Sequence, residues 1–122
     1  MTTSDAARKA LGRRAEDEAA ALLRKAGMTI LDRNWRKGRQ EIDIVARDGD
    51  TLVFVEVRAK RRDAVVSPLE SITPAKQRHM RTGALLWLAD HRAWAEPCRF
   101  DVVAAWAEPD QTLTLEHRTD VL

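Results

Sequence analysis

The chain has 122 residues, 44% of them hydrophobic and 33% charged, a composition typical of a soluble globular protein, and its length predicts a single domain over residues 1–122. The net charge of +2 is too small to indicate a nucleic-acid ligand by itself, and the lone cysteine, Cys98, excludes an intramolecular disulfide and a cysteine-based zinc site. No apolar run approaches the roughly 20 residues of a membrane helix, and the N-terminal segment MTTSDAARKA lacks the apolar stretch of a signal peptide, so we expect a cytoplasmic protein with no membrane partner.

A helix is predicted from Ser4 to Ala26, with Ser4 as its N-cap, apolar residues at helical spacing and Gly27 just past its end. Gly12 lies inside this segment and lowers helix stability by about 1 kcal/mol relative to Ala. It therefore indicates either a helix start nearer Gly12 or a close approach at that point. A strand from Met28 to Trp35 and a basic loop, Arg36–Arg39, follow.

The next segment, EIDIVARDGDTLVFVEVR (residues 41–58), predicts a β-hairpin, because Asp48-Gly49 between β-branched runs favours a two-residue type I′ turn. With that turn, Asp43 faces Phe54 and Glu41 faces Glu56. Side chains alternate along a strand, so one predicted face carries Glu41, Asp43, Glu56 and Arg58, and the other carries Ile42, Ile44, Val53, Val55 and Val57.

A second helix is predicted to begin at Thr73-Pro74 and to end near His91, with Thr73 as N-cap and Pro74 in the first turn. Its predicted inward residues are Met80, Ala84, Leu85, Leu88 and Ala89. Two final strands are predicted at Arg99–Trp106 and Thr112–His117, the first parallel to the strand that ends at Arg58. The element order is thus α-β-β-β-α-β-β, an α/β fold with a mixed sheet.

Asp43 and Glu56 come out as diagonal neighbours on the hairpin, with backbones about 7–8 Å apart. Two carboxylates at that separation can converge on one small cation, and oxygen ligands without nearby Cys or His favour Mg²⁺ or Mn²⁺ over zinc. The alternative is a solvated strand face whose acids pair with Arg58 or Lys60. The position of Glu56 inside Val-Phe-Val-Glu-Val, in what should be a central strand, favours a function. Asp101, in another apolar strand, is interpreted as a structural or supporting acid.

Motifs spread over nearly the whole chain resemble those of the YraN-like family, in order and approximate spacing. They are Gly12-x-x-x-Glu16, Asn34-x-Arg36, Glu41-Ile-Asp43, Phe54-Val-Glu-Val-Arg58, Lys76 and Arg99-Phe-Asp-Val-Val103. That family is similar in fold to the restriction-endonuclease-like PD-(D/E)xK nucleases, and particularly to archaeal Holliday-junction resolvases. The resemblance implies a three-layer core, with a central mixed sheet flanked by helices, and a metal-dependent endonuclease acting on DNA.

Position by position, the resemblance makes Asp43 and Glu56 metal ligands and Glu16, on the first helix, a third acid. Arg58 takes the place of the superfamily lysine. An arginine can stabilise charge on a phosphate, but its pKa is too high for it to remove a proton. Glu41 is expected to support the site from just outside it, and Lys60, on the same predicted face, could substitute for the lysine.

Basic residues near these acids are expected to hold the DNA backbone without reading its sequence: Arg36, Arg39, Lys60, Arg61, Arg62 and Lys76. The Lys60–Arg62 group is predicted to lie beside the acids. A homodimer is suspected, because junction resolvases cut two strands symmetrically. Two alternatives remain open, a non-catalytic nucleic-acid-binding module and a scaffold protein that retains the nuclease fold.

Overall fold

The first helix starts at its predicted cap. The computed structural model describes residues 4–122, so the first three residues of the N-terminal segment considered above lie outside the described residues. Helix α1 spans Asp5–Lys25, and the Ser4 hydroxyl accepts a hydrogen bond of 3.1 Å from the backbone N–H of Ala7. Gly12 lies well inside α1, so the expectation of a later start is wrong. No atom of the described residues approaches within 4 Å of the position that a Cβ on Gly12 would take, beyond the helix's own backbone and the two chain neighbours.

The second helix, α2, spans Pro74–Asp90, and the Thr73 side chain accepts a hydrogen bond of 3.2 Å from the N–H of Lys76. The predicted cap is confirmed, but part of the predicted inward face is wrong. Leu85 is 54% exposed and Ala89 is exposed as well, and Gly83 packs against the sheet instead. A Cβ at Gly83 would stand 3.3 Å from the Ile42 side chain, so a glycine here allows the helix to approach the sheet closely.

Five strands form one mixed sheet in the order β1-β2-β3-β4-β5. The strands are β1 Thr29–Lys37, β2 Gln40–Asp48, β3 Thr51–Arg61, β4 Cys98–Ala107 and β5 Leu113–Arg118. β3 and β4 are parallel and every other neighbouring pair is antiparallel. The predicted order α-β-β-β-α-β-β and the parallel crossover through α2 are confirmed.

Helices cover the two faces of the sheet, which confirms the three-layer arrangement. On one face α1 packs Ala19 and Leu23 against a cluster that contains Ile44. On the other face α2 packs Trp87 against Phe54, with ring centroids 5.7 Å apart in an edge-to-face arrangement. Within residues 4–122, neither helix combines the length and apolar character that spanning a membrane requires.

The hairpin register differs from the prediction. The turn residues are Gly49 and Asp50, with Gly49 at φ +62°, and Asp48 pairs with Thr51. The predicted turn at Asp48-Gly49 is therefore wrong by one residue. The pairing of Asp43 with Phe54 is also wrong, because Val45 takes that place and Asp43 comes level with Glu56.

The alternation of β2 breaks at Asp43. Ile44 belongs to the core beneath α1, whereas Ile42 belongs to the core beneath α2, so the prediction that both share a face is wrong. Opposite this point Asn34 of β1 has φ +51°, and the pairing of β2 with β3 stops at Ile44–Val55. An irregularity of this kind reverses the side-chain parity, and it opens a gap between β2 and β3 at Asp43.

Candidate functional site

Glu56 is the most buried of the candidate site acids and has a cation from another element beside it. It is 6% exposed, although it lies in the middle of the sheet. The Lys76 ammonium, from the first turn of α2, stands 3.1 Å from its carboxylate, and the Arg58 guanidinium stands 3.7 Å away. Burial and the charge of Asp43 outweigh these cations and raise the pKa of Glu56 to about 7.

Asp43 occupies the gap between β2 and β3. Its carboxylate accepts a hydrogen bond of 2.8 Å from the backbone N–H of Val57 and so takes the place of a main-chain partner where the ladder has stopped. Burial raises the pKa of Asp43, and the hydrogen bond from Val57 opposes the rise. Lys76 lies close enough to stabilise both acids, since its charge lowers the pKa of Asp43 as well as that of Glu56.

Glu16 reaches this region from α1. Its side chain is 10% exposed, and one carboxylate oxygen accepts hydrogen bonds from Asn34 at 2.7 Å and from Arg33 at 3.1 Å. Burial raises the pKa of Glu16, the hydrogen bond from Arg33 opposes that rise, and the charge of Asp43 adds to it. Asn34, in its left-handed conformation, thus supports the acid on α1 and lies opposite the point where the pairing of β2 with β3 stops.

The carboxylates of Glu16, Asp43 and Glu56 lie close enough to influence one another electrostatically, but they do not form a complete metal site. Among residues 4–122, no three His, Cys, Asp or Glu side chains stand together in a way that could hold a metal ion. Glu56 is paired with Lys76, and Glu16 with Arg33. The donor chemistry nevertheless fits Mg²⁺ or Mn²⁺, because all the donors are carboxylate oxygens and a divalent cation would relieve the repulsion between Asp43 and Glu56.

The cation nearest Glu56 is Lys76, for which the sequence predicted a different role. Arg58 donates a hydrogen bond of 2.9 Å to Ser71, and Lys60 forms no salt bridge among the described residues. Lys76, predicted only to hold the DNA backbone, makes the closer contact with Glu56. The signal for this was topological, since a crossover helix starts near the carboxyl ends of the parallel strands that it joins.

The other predicted basic residues are spread over the molecule. Arg36 pairs with Glu41 at 3.2 Å on the exposed surface, and Arg39 is also exposed. Arg62 makes two hydrogen bonds to Glu108, and its guanidinium lies 4.9 Å from the centre of the Trp106 ring. At about 3.3 Å per residue of extended strand, the backbone of Arg61, the last residue of β3, lies about 17 Å from that of Glu56, and Arg62 follows it. Arg61 and Arg62 pair with Asp63 and Glu108 instead of with the candidate acids, and a role of the Lys60–Arg62 group in holding DNA stays a prediction.

Two cations near the acids were not predicted from the sequence. Lys9 and Arg13 of α1 border a groove of about 420 Å³ between α1 and the β2–β3 hairpin, and Glu16 and Asp43 line the same groove. A helical wheel would have found them, because residues 9, 13 and 16 lie on one face of a helix.

Asp101 is fully buried and hydrogen-bonds to residues other than the candidate acids. It accepts hydrogen bonds from Arg99 at 3.1 Å and from the backbone N–H of Asp120 at 3.0 Å, and the ring of His117 stands 2.8 Å away. Burial favours a higher pKa, but the hydrogen bonds from His117 and Arg99 outweigh it and hold the pKa of Asp101 below its usual value. These contacts fasten β4, β5 and the C-terminal segment together, as expected of a structural acid.

Comparison with known proteins shows the family to which the chain belongs. Residues 15–105 match the family described as "Uncharacterised protein family UPF0102". A UPF0102 protein of Nitratidesulfovibrio vulgaris is 46% identical over 93% of this chain and 84% of its own length. The UPF0102 protein of Rhodococcus jostii is 46% identical over 91% of this chain and 94% of its own, and that of Acidothermus cellulolyticus is 43% identical over 96% of each. The resemblance to YraN-like proteins is thus confirmed, and the chain belongs to the UPF0102 family.

Proposed function

We propose that this protein is a metal-dependent nuclease that hydrolyses DNA phosphodiesters, with branched or junction DNA as its candidate substrate. The observation that carries the proposal is the pair Asp43 and Glu56. Glu56 is buried and Asp43 half-buried, both have raised pKa values, and the charge of Asp43 raises the cost of ionising Glu56. A fold gains no stability from two neighbouring acids that are costly to ionise, and such pairs cluster at functional sites.

Asp43 and Glu56 would hold Mg²⁺ or Mn²⁺, with Glu16 as a third acid once it is released from Arg33. When bound, the ion would polarise the scissile phosphate and acidify the attacking water. The protein's own cations do the rest. Lys76 and Arg58 flank Glu56 and can stabilise the negative charge that develops on the phosphate.

Lys76 weakens the argument against catalysis that arises from having an arginine, not a lysine, at position 58. Arg58 can stabilise charge but cannot remove a proton, whereas an ammonium beside two acids can carry out the electrostatic and positioning work of the superfamily lysine. In this assignment Glu41 supports the site through its ion pair with Arg36, and Lys60 has no part in the chemistry.

The alternative with a specific observation in its favour is a nucleic-acid-binding module without catalysis. Lys76 already neutralises Glu56, and Glu16 is held by Arg33 and Asn34, so the acids are satisfied without a metal ion. A scaffold protein that retains the nuclease fold is the remaining possibility.

The test combines metal binding with cleavage. The purified protein is incubated with four-way-junction, flap, duplex and single-stranded DNA in Mg²⁺ or Mn²⁺, and the same ions are titrated while the melting temperature is followed. We expect cleavage of at least one substrate and an ion-dependent rise in Tm, both lost in Glu56→Gln and kept in Glu116→Gln, which removes an exposed carboxylate on β5. Sedimentation of the protein alone and with junction DNA tests the predicted dimer.

The outcomes separate the candidates. Cleavage that persists undiminished in Glu56→Gln, or that never appears with either ion, removes the nuclease proposal. Salt-dependent DNA binding with no effect of metal on Tm favours the binding module. The absence of any salt-dependent DNA affinity leaves the scaffold.

A further inference from the structure

Gly12 is a glycine that the fold does not require. It lies in the interior of α1 at a negative φ, where alanine would give a more stable helix. Nothing in the described residues crowds the space that its Cβ would fill. This is unlike Gly83 of α2, whose missing side chain makes room for Ile42. Neither backbone conformation nor packing accounts for a glycine at position 12.

The open space above Gly12 is the groove between α1 and the β2–β3 hairpin. Its α1 wall presents Lys9, Gly12, Arg13 and Glu16, which recur at helical spacing and so share one face. The opposite side is lined by Asp43 and by the ion pair of Arg36 with Glu41. A chain lying in this groove would pass directly over Gly12 on its way to the candidate acids.

The two cations beside Gly12 are uncompensated. Arg8 pairs with Asp5, and Arg14 lies 3.8 Å from Glu18. Lys9 and Arg13 take part in no salt bridge or side-chain hydrogen bond within residues 4–122, and both are exposed. Four residues of helix separate them by about 6 Å along the axis, so they bracket the glycine.

We propose that this face of α1 seats the sugar–phosphate backbone of a DNA strand. Lys9 and Arg13 contact phosphates, and the absence of a side chain at Gly12 lets the strand lie against the helix. The strand then runs to the groove wall formed by Asp43. The inference rests on the proposed function, because it takes the ligand to be DNA, and it adds the path by which the strand reaches the acids.

The closing experiment measures affinity without chemistry. Fluorescence anisotropy with a labelled duplex and a labelled four-way junction is recorded in EDTA, over a series of salt concentrations. Gly12→Ala and Gly12→Met should raise Tm by a few degrees, since both residues favour helix, and should weaken DNA binding, the larger residue by about tenfold or more. Ala21→Met, at an exposed position of α1 outside the groove, is the control for bulk.

A second pair of variants, Lys9→Ala and Arg13→Ala, tests the contribution of the two positive charges. Each should weaken binding at low salt by about tenfold and reduce the slope of log affinity against log salt by about 1, as expected for one lost phosphate contact. Arg24→Ala, which removes an equal charge from the last turn of α1, should leave the slope unchanged.

Each result decides a different question. The DNA-binding face on α1 is overturned if Gly12→Met binds DNA with unchanged affinity. It is also overturned if the Lys9 and Arg13 variants have the same salt slope as Arg24→Ala, even if the protein cleaves DNA. Loss of affinity in these variants supports the DNA-binding face on α1 even if no substrate is cleaved, so that only the nuclease proposal fails. A wild-type protein with no salt-dependent DNA affinity overturns both.

Discussion

Replacing Glu56 by glutamine should make the metal-free protein more stable at high pH, although it removes an ion pair with Lys76. The pKa of Glu56 rises from 4.5 to about 7 in the folded protein because burial and the charge of Asp43 outweigh the nearby cations. At about 1.4 kcal/mol per pKa unit, ionising this residue costs the folded state about 3 kcal/mol relative to the unfolded chain. Glutamine has a similar shape and carries no charge.

The sign follows from the direction of the shift. Below pH 4.5 Glu56 is protonated in both states, so its full contribution to stability is present there. That contribution is lost as the pH rises through about 7, because the folded protein then releases a proton that it had bound more tightly than the unfolded chain. Glu56→Gln and wild type should therefore have similar free energies of unfolding near pH 4 and should differ by about 3 kcal/mol near pH 9.

Urea denaturation in EDTA, followed by circular dichroism across this pH range, measures the difference. Glu18→Gln removes a half-exposed carboxylate from α1 and should shift the free energy of unfolding by less than about 0.5 kcal/mol at any pH. A difference between Glu56→Gln and wild type that does not change with pH would refute the assigned electrostatics. So would a variant that is the less stable protein near pH 9.

Three further substitutions test other parts of the structure. Asp101→Asn leaves the partners of a fully buried carboxylate unsatisfied and should lower the free energy of unfolding by about 3 kcal/mol near neutral pH. Urea denaturation should show that this loss becomes smaller as the pH falls toward 3.8 and below, because the pKa of Asp101 is lowered in the folded protein. Gly83→Val places branched carbons against Ile42 and should cost about 2–3 kcal/mol in the same assay, and wild-type stability would contradict the close packing of α2. Arg62→Ala should change DNA affinity by less than about twofold in the anisotropy assay, because Glu108 already neutralises the guanidinium; a tenfold loss would show that it contacts DNA.

The sequence predicted those features whose causes are local. The Ser4 and Thr73 caps are hydrogen bonds within one turn, and they appear where the sequence places them. Gly49 marks a turn but leaves open which of its neighbours is the other turn residue, and that ambiguity shifted the register by one residue.

The features that the sequence did not predict depend on contacts between distant elements. The left-handed Asn34 donates its amide to Glu16, eighteen residues away along the chain, and the strand break at Asp43 lies opposite it. Lys76 meets Glu56 only because α2 returns across the sheet. A pattern within one strand contains neither fact, so strand parity placed Ile42 and Ile44 on one face, whereas they lie on opposite faces of the sheet.

The contact between Lys76 and Glu56 also bears on the order in which the molecule folds. The acids belong to the first half of the chain, and the β2–β3 hairpin that carries two of them can pair locally. The ammonium arrives from α2, later in the sequence, after the loop that follows β3. A nascent chain that has formed only α1 and the hairpin therefore contains the acids without Lys76, and the docking of α2 both covers its face of the sheet and supplies this counter-charge.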